Sequence, residues 1–428
     1  MYMNLYPHQI DGLKQTEKMD HVAYYWDMGL GKTFEGSEKM YQLGAMLNLV
    51  VCQKSKVDDW VEHFKQNYDW HVLDLTDKKQ WEYALHDCPY LLDEPVVFVI
   101  NYDLIWRRKE LLNLNGIGFT LLLDESSLIQ NETAKRSKFI LKMNPKNVIL
   151  LSGTPTGGKY EKLWSQLHLL GWNISKKMYW NQYVEVEYLD TLDRSIPIVK
   201  GYKNVDRLKR KMSEYGCQFL KTDEVFNLPS QTFTKVRIPA SKEYRIFRKD
   251  KIVTMGETTL VGDTTLTKML YERMLCGQYS EAKLKAFTDL VESTEDRLIV
   301  FYNFTEEWHL MGEICDALGR PSAVVNGQLK HPEVLEKDGA VLFVQYQAGA
   351  MGLNLQKANK IIYFTLPLSS ELYEQSKKRI HRIGQEKPCF YYQLIVKGSI
   401  EEKILKTLEM RKDFTEKLFE KEWCNNGL

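Results

Sequence analysis

The sequence lacks the cysteine and histidine patterns of disulfide-stabilised or zinc-binding proteins. Its seven cysteines include no C-x-x-C pair and are odd in number, which favours reduced thiols in a cytosolic protein. Its nine histidines include no H-x-x-x-H spacing with acidic support, so we expect no structural zinc. The expected location is therefore a reducing compartment, either the cytoplasm or the nucleoid.

Long apolar runs and a strong charge bias are also absent. No segment approaches the roughly 18 apolar residues of a membrane span, and polar residues interrupt Met1 to Lys14, so we expect neither a membrane partner nor a signal peptide. The composition, 44% apolar and 27% charged over 428 residues, suits a globular protein with two core-bearing domains. Because the net charge is only +1, any nucleic-acid surface must be a local basic patch.

The first candidate site is a strand, a glycine-bearing turn and the start of a helix. The apolar run over 22–26 predicts a buried strand, which is followed by Met28, Gly29, Leu30, Gly31, Lys32 and Thr33. Such a turn directs backbone N–H groups at one point, where they can hold a phosphate chain. Lys32 would reach the β and γ phosphates and the Thr33 hydroxyl would bind Mg²⁺. Since Trp26 stands where the usual pattern has its first glycine, the motif alone fits a surface turn equally well.

A pair of acids after another buried strand favours a nucleotide site. Leu121, Leu122 and Leu123 form an apolar run fit for a parallel strand, and Asp124 and Glu125 end it. Asp124 would hold Mg²⁺, and Glu125 would orient or deprotonate the attacking water. The alternative is an exposed strand end without a chemical role.

Apolar runs alternate with helical patterns, which predicts an α/β fold with two parallel sheets flanked by helices. The expected strands are 22–26, 49–52, 96–100, 119–123 and 147–151, then 297–301, 323–325, 340–344, 360–364 and 390–396. Helical patterns over 9–19 and 34–47 lie beside the first strand, and 232–238 reads as an extended segment. We expect a first domain over 1–227, a linker and helical lead-in over 228–293, and a second domain over 294–428.

Polar residues after other predicted strands are candidates for ligand contact. A nucleic-acid phosphate backbone would suit this edge of an open α/β sheet, although solvated loops would also fit. The residues assigned to nucleic-acid binding are Lys54, Ser55, Asn101, Tyr102 and Asn303. Upstream of the phosphate loop, Tyr6 could stack on adenine and Gln9 could read its edge, although a capped amphipathic helix would explain both residues as well.

The second domain offers two arginines in a helical pattern. Arg379 and Arg382 are three residues apart, so a helix would place both on one face. Arginines placed in this way can stabilise a γ-phosphate transition state from across a domain cleft. An exposed surface pair is the alternative, but the first domain has an ATP half-site and no evident arginine of its own.

Together these motifs resemble those of the superfamily-two helicases and, within them, the Swi/Snf-like double-stranded DNA translocases. The segment 28–33 is similar to the first motif, which in that family also lacks the leading glycine, and 151–155 is similar to the third. Gln375 with the segment 379–385 resembles the sixth motif, and 348–355, which includes Gly352, resembles the fifth. Gln9 matches the adenine-reading glutamine, and 219–229 resembles the join between lobes.

The resemblance implies two RecA-like lobes that bind ATP and Mg²⁺ in the cleft between them and move along double-stranded DNA during hydrolysis. It assigns Gln375, Arg379 and Arg382 to catalysis and Gly352 to nucleotide binding. A strand-separating DNA or RNA helicase and a non-motor ATP-gated nucleic-acid-binding clamp are the alternatives, and no protein partner is indicated.

Two departures from the family pattern are informative. Ser126 and Ser127 follow Asp124 and Glu125, where the family usually has Ala or Gly and then a histidine that helps to link hydrolysis to DNA contact. The inserts that enlarge eukaryotic remodellers are short or missing, which favours a minimal translocase core.

Overall fold

Short apolar runs form the strands of two sheets, one in each of two units of the chain. The computed structural model describes residues 5–86, 94–190, 195–349 and 353–419. A first unit comprises the chain up to Val225 together with residues 414–419, and a second unit covers Phe226–Asp413.

The first unit alternates strands and helices along most of its length. Its helices are α1 (Pro7–Gln15), α2 (Lys32–Leu43), α3 (Val57–Asn67), α4 (Lys78–His86), α5 (Tyr102–Ile105), α6 (Lys135–Ile140), α7 (Trp164–Leu169), α8 (Lys176–Tyr183) and α9 (Val205–Glu214). Its strands are β1 (His21–Trp26), β2 (Leu47–Cys52), β3 (His71–Asp74), β4 (Val96–Asn101), β5 (Thr120–Asp124), β6 (Asn147–Leu151), β7 (Val184–Asp190), β8 (Ser195–Tyr202) and β9 (Cys217–Leu220).

Seven of these strands form one parallel sheet in the order β3-β4-β2-β5-β6-β1-β9. Strands β2, β4 and β6 are buried along their whole length, as expected of parallel strands that helices cover on both faces. The remaining pair, β7 and β8, forms an antiparallel hairpin. The parallel α/β sheet predicted for the first domain is thus confirmed.

Some element bounds differ from the prediction, and each difference has a local cause. Helix α2 ends at Leu43 because Gly44, with φ of 60°, caps it in the left-handed conformation; Leu47, predicted as the end of this helix, instead begins β2. Strands β3 and β9 were not predicted, since neither has more than two consecutive apolar residues, whereas the predicted strands of the same length, β14 and β16, each have three.

The second unit repeats the α/β pattern. Its helices are α10 (Lys242–Asp250), α11 (Thr265–Cys276), α12 (Glu281–Glu292), α13 (Thr305–Ala317), α14 (Tyr346–Gly349), α15 (Ser370–Lys377) and α16 (Ile400–Phe419). Its strands are β10 (Gln231–Ile238), β11 (Ile252–Met255), β12 (Thr258–Val261), β13 (Leu298–Tyr302), β14 (Ser322–Val325), β15 (Val341–Gln345), β16 (Lys360–Tyr363) and β17 (Cys389–Val396).

Six strands of this unit form a second parallel sheet, in the order β10-β17-β16-β13-β15-β14. The extended segment predicted over 232–238 is β10, which pairs along its whole length with β17. Strands β11 and β12 form a separate antiparallel hairpin. The prediction of a second parallel α/β sheet is also confirmed.

A buried ion pair ties α16 to α12 in this unit. Lys283 Nζ lies 2.6 Å from Glu401 Oε1, and the two side chains are 0% and 2% exposed. Lys283 also donates to the main-chain oxygen of Phe364 at 2.8 Å, and Glu401 accepts from the backbone N–H of Val396 at 3.0 Å. Burial raises the pKa of Glu401, and the neighbouring Lys283 opposes that rise. Each charge therefore depends on the other for its compensation.

Replacing Lys283 by methionine is expected to lower the free energy of unfolding by about 3–5 kcal/mol, because Glu401 would remain buried without a cation. Urea unfolding of the full chain measures this loss. Lys235→Met is the matched control, since Lys235 pairs at 2.8 Å with the similarly exposed Glu409 and such pairs contribute at most about 1 kcal/mol. Equal losses in the two variants would contradict the importance of the buried pair.

Candidate functional site

The loop between β1 and α2 forms a cradle at the carboxyl end of its strand. Gly29 and Gly31 have φ of 88° and 73°, a conformation that glycine adopts without strain, and α2 begins directly afterwards at Lys32. Lys32 Nζ donates to the main-chain oxygens of Trp26 and Asp27 at 3.0 and 3.1 Å. The start of α2 and an ammonium group thus lie together, an arrangement suited to an anion.

Gln9 belongs to this loop through direct hydrogen bonds. Its side chain is 2% exposed; its Oε1 accepts from the Tyr6 backbone N–H at 2.8 Å, and its Nε2 donates to Gly31 O at 3.0 Å. A Cβ added to Gly31 would lie 2.4 Å from Gln9 Nε2, so any larger residue there would displace the Gln9 amide in addition to straining the backbone. The structure therefore brings Gln9 to the phosphate loop.

Three other residues of the predicted motif occupy different positions in the cradle. Leu30 is 1% exposed, and its main-chain oxygen contacts His8 Nε2 at 3.0 Å. Met28 and Thr33 are half-buried, and Thr33 is the second residue of α2. Thr33 is therefore at the helix start, where its hydroxyl can serve a metal ion.

The acidic turn after β5 is held by donors from two other elements. Trp60 Nε1, on α3, donates to Asp124 Oδ2 at 2.9 Å, and the Tyr102 hydroxyl donates to Asp124 O at 3.0 Å. Burial raises the pKa of Asp124, whereas the Trp60 hydrogen bond and the charge of Lys32 lower it. Burial is the larger effect, so the pKa of Asp124 lies above its ordinary value, although Trp60 and Lys32 oppose the rise.

Glu125, the next residue, has φ of 55°, in the left-handed region. A non-glycine residue keeps this conformation only when its surroundings fix it, and such residues cluster at functional sites. Its main-chain oxygen accepts from the backbone N–H of Leu128 at 2.9 Å, and its Oε2 accepts from Ser152 Oγ at 3.4 Å. Glu125 is therefore held at both its backbone and its carboxylate.

The loop after β6 completes the site in the first unit. Residues 152–156 are all buried, and a Cβ added to Gly153 would lie 3.6 Å from Lys32 Nζ and 3.2 Å from Met28 Cγ. Because Ser152 also contacts Glu125, this loop touches both the phosphate loop and the acidic turn. Lys32, Asp124 and Glu125, predicted separately from sequence, are thus brought together at one edge of the sheet.

The four nucleic-acid candidates of the first unit divide into exposed and buried pairs. Lys54 and Ser55 are exposed in the turn after β2, where they can meet a ligand. Asn101 is 6% exposed and Tyr102 is 2% exposed. The expectation that Tyr102 lies on a nucleic-acid surface does not hold in this structure, because its ring is buried and its hydroxyl is bonded to the acidic turn.

The arginines of the second unit do not share a helix face, so that prediction is wrong. Helix α15 ends at Lys377, and Arg379 and Arg382 lie in the turns that follow. Arg379 is 3% exposed, with Nη1 3.5 Å from Leu353 O. Arg382 is half-buried and hydrogen-bonds Asn354 Oδ1, and burial lowers its pKa.

The turn that carries Arg382 is fixed by Gln385. Its Nε2 lies within hydrogen-bond distance of three main-chain oxygens, those of Gln356 at 3.0 Å, Ala358 at 2.9 Å and Ile380 at 3.2 Å. The backbone N–H of Leu355 also donates to Arg379 O at 3.2 Å. The chain therefore leaves the helical path after α15 to pair with the segment before β16.

The remaining candidates of the second unit are buried, locally bonded or outside the described residues. Gln375, on α15, is 6% exposed, and its buried Oε1 has no hydrogen-bond partner among the described residues. Asn303 Nδ2 donates to Thr365 Oγ1 at 2.9 Å and to Leu366 O at 3.1 Å. Asn303 thus ties the end of β13 to the end of β16, and its contact with nucleic acid stays a prediction. Gly352 lies outside the described residues.

Gln166 is a site residue that the sequence reasoning missed. It is fully buried on α7, accepts from Ser126 Oγ at 2.7 Å and from the Tyr25 hydroxyl at 3.1 Å, and donates to Pro155 O at 2.8 Å. Trp60, which donates to Asp124, is a second site residue that the sequence reasoning did not identify. No signal in the sequence singled out Gln166, because Ser165 and His168 in the same segment are also polar.

The described residues were compared with the requirements of a metal cluster and of a membrane-spanning helix. No group of three or more His, Cys, Asp or Glu side chains there could hold a metal ion. Asp124 and Thr33 offer a carboxylate and a hydroxyl, which suit Mg²⁺ when nucleotide phosphates and waters complete its shell. Among the described helices, none has the length and apolar character needed to cross a membrane.

The sequence matches two known domains over most of its length. Residues 25–281 match the SNF2-related domain, and residues 282–384 match the helicase conserved C-terminal domain. The mouse protein "SWI/SNF-related matrix-associated actin-dependent regulator of chromatin subfamily A member 1" is 23% identical over 96% of this chain and 41% of its own length. The Bacillus subtilis protein "Uncharacterized ATP-dependent helicase YqhH" is 23% identical over 94% of this chain and 77% of its own length. This chain thus spans less than half of the mouse relative.

Among solved structures, the Sulfolobus solfataricus SWI2/SNF2 ATPase core in complex with dsDNA is 19% identical, with a TM-score of 0.45, and the match covers 96% of this chain and 92% of that one. The family assignment rests on the sequence, because the SNF2-related domain alone accounts for more than half of the chain. The chain therefore belongs to the SNF2-related family, as its motifs predicted.

Proposed function

We propose that this protein is a DNA-dependent ATPase that hydrolyses ATP to ADP and phosphate while it moves on double-stranded DNA. The meeting of Lys32, Asp124 and Glu125 at one sheet edge carries the proposal, since an ATP site needs phosphate binding, metal binding and water activation. Membership of the SNF2-related family and a Bacillus relative named as an ATP-dependent helicase support it. We place this activity in the cytoplasm or at the nucleoid.

Each residue of the phosphate site has a distinct task in this proposal. Lys32 would exchange the carbonyls of Trp26 and Asp27 for the β and γ phosphates, and Gln9 would contact the adenine. Glu125 would orient the attacking water or take its proton. Mg²⁺ held by Thr33 and Asp124 would neutralise charge on the phosphates.

DNA contact is assigned to the exposed turn after β2. Lys54 and Ser55 would bind phosphate oxygens, so binding should depend on salt and hardly on base sequence. The observation that supports this choice is their exposure at the end of a strand, on the same edge as the acidic turn; the charge of Lys56, in the same turn, lowers the pKa of Asp124.

Arg382 is proposed as the arginine that stabilises the γ-phosphate transition state, with Arg379 in a supporting position. Arg382 is half-buried and contacts a side-chain amide, whereas Arg379 is 3% exposed. The Arg382 guanidinium can exchange its hydrogen bond to an amide for one to a phosphate. The Arg379 guanidinium is buried within the second unit and is less suited to bind phosphate.

The activity itself is tested by ATP turnover with duplex DNA, with single-stranded RNA and without nucleic acid. Duplex DNA is expected to stimulate turnover more than RNA, because the motifs at 348–355 and 379–385 resemble those of double-stranded DNA translocases. Equal or stronger stimulation by RNA would reject the assignment to duplex DNA. An ATP turnover rate that does not change when nucleic acid is added would favour the ATP-gated clamp. Strand separation in a duplex-unwinding assay would favour a helicase.

Lys32→Ala and Glu125→Gln are expected to fail in different ways. The lysine variant should bind ATP weakly, because it loses the ammonium at the phosphates, whereas the glutamine variant should retain ATP and lose hydrolysis. Fluorescent-nucleotide binding and turnover, measured in parallel, separate the two. Turnover by Glu125→Gln at the parent rate would remove Glu125 from catalysis.

Trp60→Phe is expected to raise the Mg²⁺ concentration needed for half-maximal turnover by about fivefold, the effect of one hydrogen bond. The change removes the indole N–H that donates to Asp124 Oδ2 while it keeps an aromatic ring. Trp70→Phe is the matched control, since the Trp70 ring stacks on Tyr68 at 4.8 Å. If both variants need the parent's Mg²⁺ concentration, Trp60 does not tune Asp124.

Arg382→Ala is expected to spare ATP binding and to slow DNA-stimulated turnover by roughly 10³ to 10⁵, the contribution of an arginine finger. Arg382→Lys should recover little, because an ammonium lacks the planar fork that spans two phosphate oxygens. Arg379→Ala is the comparison, and it should mainly lower the melting temperature, since that side chain is buried. Near-normal turnover by a folded Arg382→Ala variant would rule out the assigned role.

A further inference from the structure

A buried chain of hydrogen bonds links the acidic turn to the loop after β6. Ser126 Oγ donates to Gln166 Oε1 at 2.7 Å, and Gln166 Nε2 donates to Pro155 O at 2.8 Å. Ser126 and Gln166 are each 0% exposed, and Pro155 is buried. Water therefore cannot readily replace either bond, and the path from turn to loop is continuous.

The same loop makes a second contact with the turn, one residue earlier. Ser152 Oγ donates to Glu125 Oε2 at 3.4 Å, and the backbone N–H of Thr154 donates to Ser152 Oγ at 3.2 Å. The loop is thus joined to the side chain of Glu125 at one end and to Ser126 at the other. A displacement of the loop relative to the turn would change where the Glu125 carboxylate lies.

The backbone of Glu125 needs such support. Its φ of 55° is left-handed, a conformation that L-residues avoid unless the surrounding structure fixes them. Tyr102 holds the residue before it through Asp124 O, and Gln166 holds the residue after it, Ser126, by accepting a hydrogen bond from its hydroxyl. The Gln166 bond therefore anchors the chain on the side that follows Glu125.

Packing alone does not explain Gln166. Its neighbours Leu163, Leu167 and Leu170 on the same segment are all buried, so an apolar side chain would suit the position. A buried amide is costly unless its hydrogen bonds are made, and Gln166 makes three, to elements that carry Ser126, Tyr25 and Pro155.

We propose that Ser126 and Gln166 act together as positioning residues, which hold the Glu125 carboxylate at a fixed position relative to the loop after β6 during hydrolysis. This inference rests on the proposed ATPase function, within which it adds two residues to the catalytic apparatus. It predicts an effect on the chemical step and not on the binding of ATP or DNA. Among the described residues, neither side chain forms a hydrogen bond with the phosphate loop or with the exposed turn at Lys54.

The test is a double-mutant cycle with Ser126→Ala, Gln166→Met and the combined variant. Each single change should lower kcat by about fivefold, the factor that one hydrogen bond supplies, with KM for ATP and nucleotide affinity unchanged. The combined variant should be no slower than Gln166→Met, because both changes break one path. Ser126→Ala should fold normally, since Gln166 Oε1 keeps the Tyr25 hydroxyl as a donor at 3.1 Å.

Tyr25→Phe is the matched control. It removes the other hydroxyl that donates to Gln166 Oε1 but leaves the bonds from Ser126 to Gln166 and from Gln166 to Pro155. Its kcat should equal that of the parent. A loss of kcat as large as that of Ser126→Ala would mean that any hydrogen bond to Gln166 Oε1 has the same effect. That result would contradict a specific path from Ser126 through Gln166 to Pro155.

Three other results would also overturn the inference. The first is a Ser126→Ala variant with the parent's kcat, and the second is additive losses in the combined variant. The third is a loss of kcat that is seen only near the melting temperature and vanishes when turnover is measured well below it. Such a result would mean that the two residues only stabilise the fold. Absence of ATP turnover in the parent itself, with or without duplex DNA, would instead reject the proposed function on which the inference rests.

Discussion

The left-handed backbone of Glu125 is the constraint on which the first unit's site depends. A non-glycine residue in this region costs about 1–3 kcal/mol, and the surrounding structure must offset that cost. It does so with anchors on both sides, since Tyr102 hydrogen-bonds the main-chain oxygen of Asp124 and Ser126 hydrogen-bonds Gln166. As a result, two adjacent acidic side chains have different neighbours, Trp60 for Asp124 and Ser152 for Glu125.

The electrostatics of the site follow from this separation. Burial favours the neutral form of Asp124, while the indole N–H of Trp60 and the charge of Lys32 favour the ionised form. Lys32, in turn, is held by two main-chain carbonyls. Because carbonyls are weaker partners for an ammonium than phosphate oxygens, the loop is preorganised for an anion that would replace them.

In the second unit, the segment 379–385 serves the fold as well as the proposed chemistry. Gln385 reaches three main-chain oxygens, and Arg379 is enclosed beside Leu353. Arg382, in contrast to Arg379, is only half-buried. This short segment can thus fix its own turn through Gln385 and still leave the Arg382 guanidinium accessible to a phosphate.

The sequence by itself determined the two parallel sheets and the edge at which the site lies. Strands buried on both faces read as continuous apolar runs, and functional groups at their carboxyl ends share one edge. Lys32, Asp124 and Glu125 were found in this way because each directly follows such a run or its turn.

Only the tertiary structure decided which distant side chains support those residues. Trp60 and Asp124 are 64 positions apart, and Ser126 and Gln166 are 40 apart, so no local period relates them. The burial of Tyr102 and Arg379 likewise depends on the surfaces that pack over them. Local patterns specify which face of an element is apolar, whereas a hydrogen bond between elements depends on where both backbones lie in space.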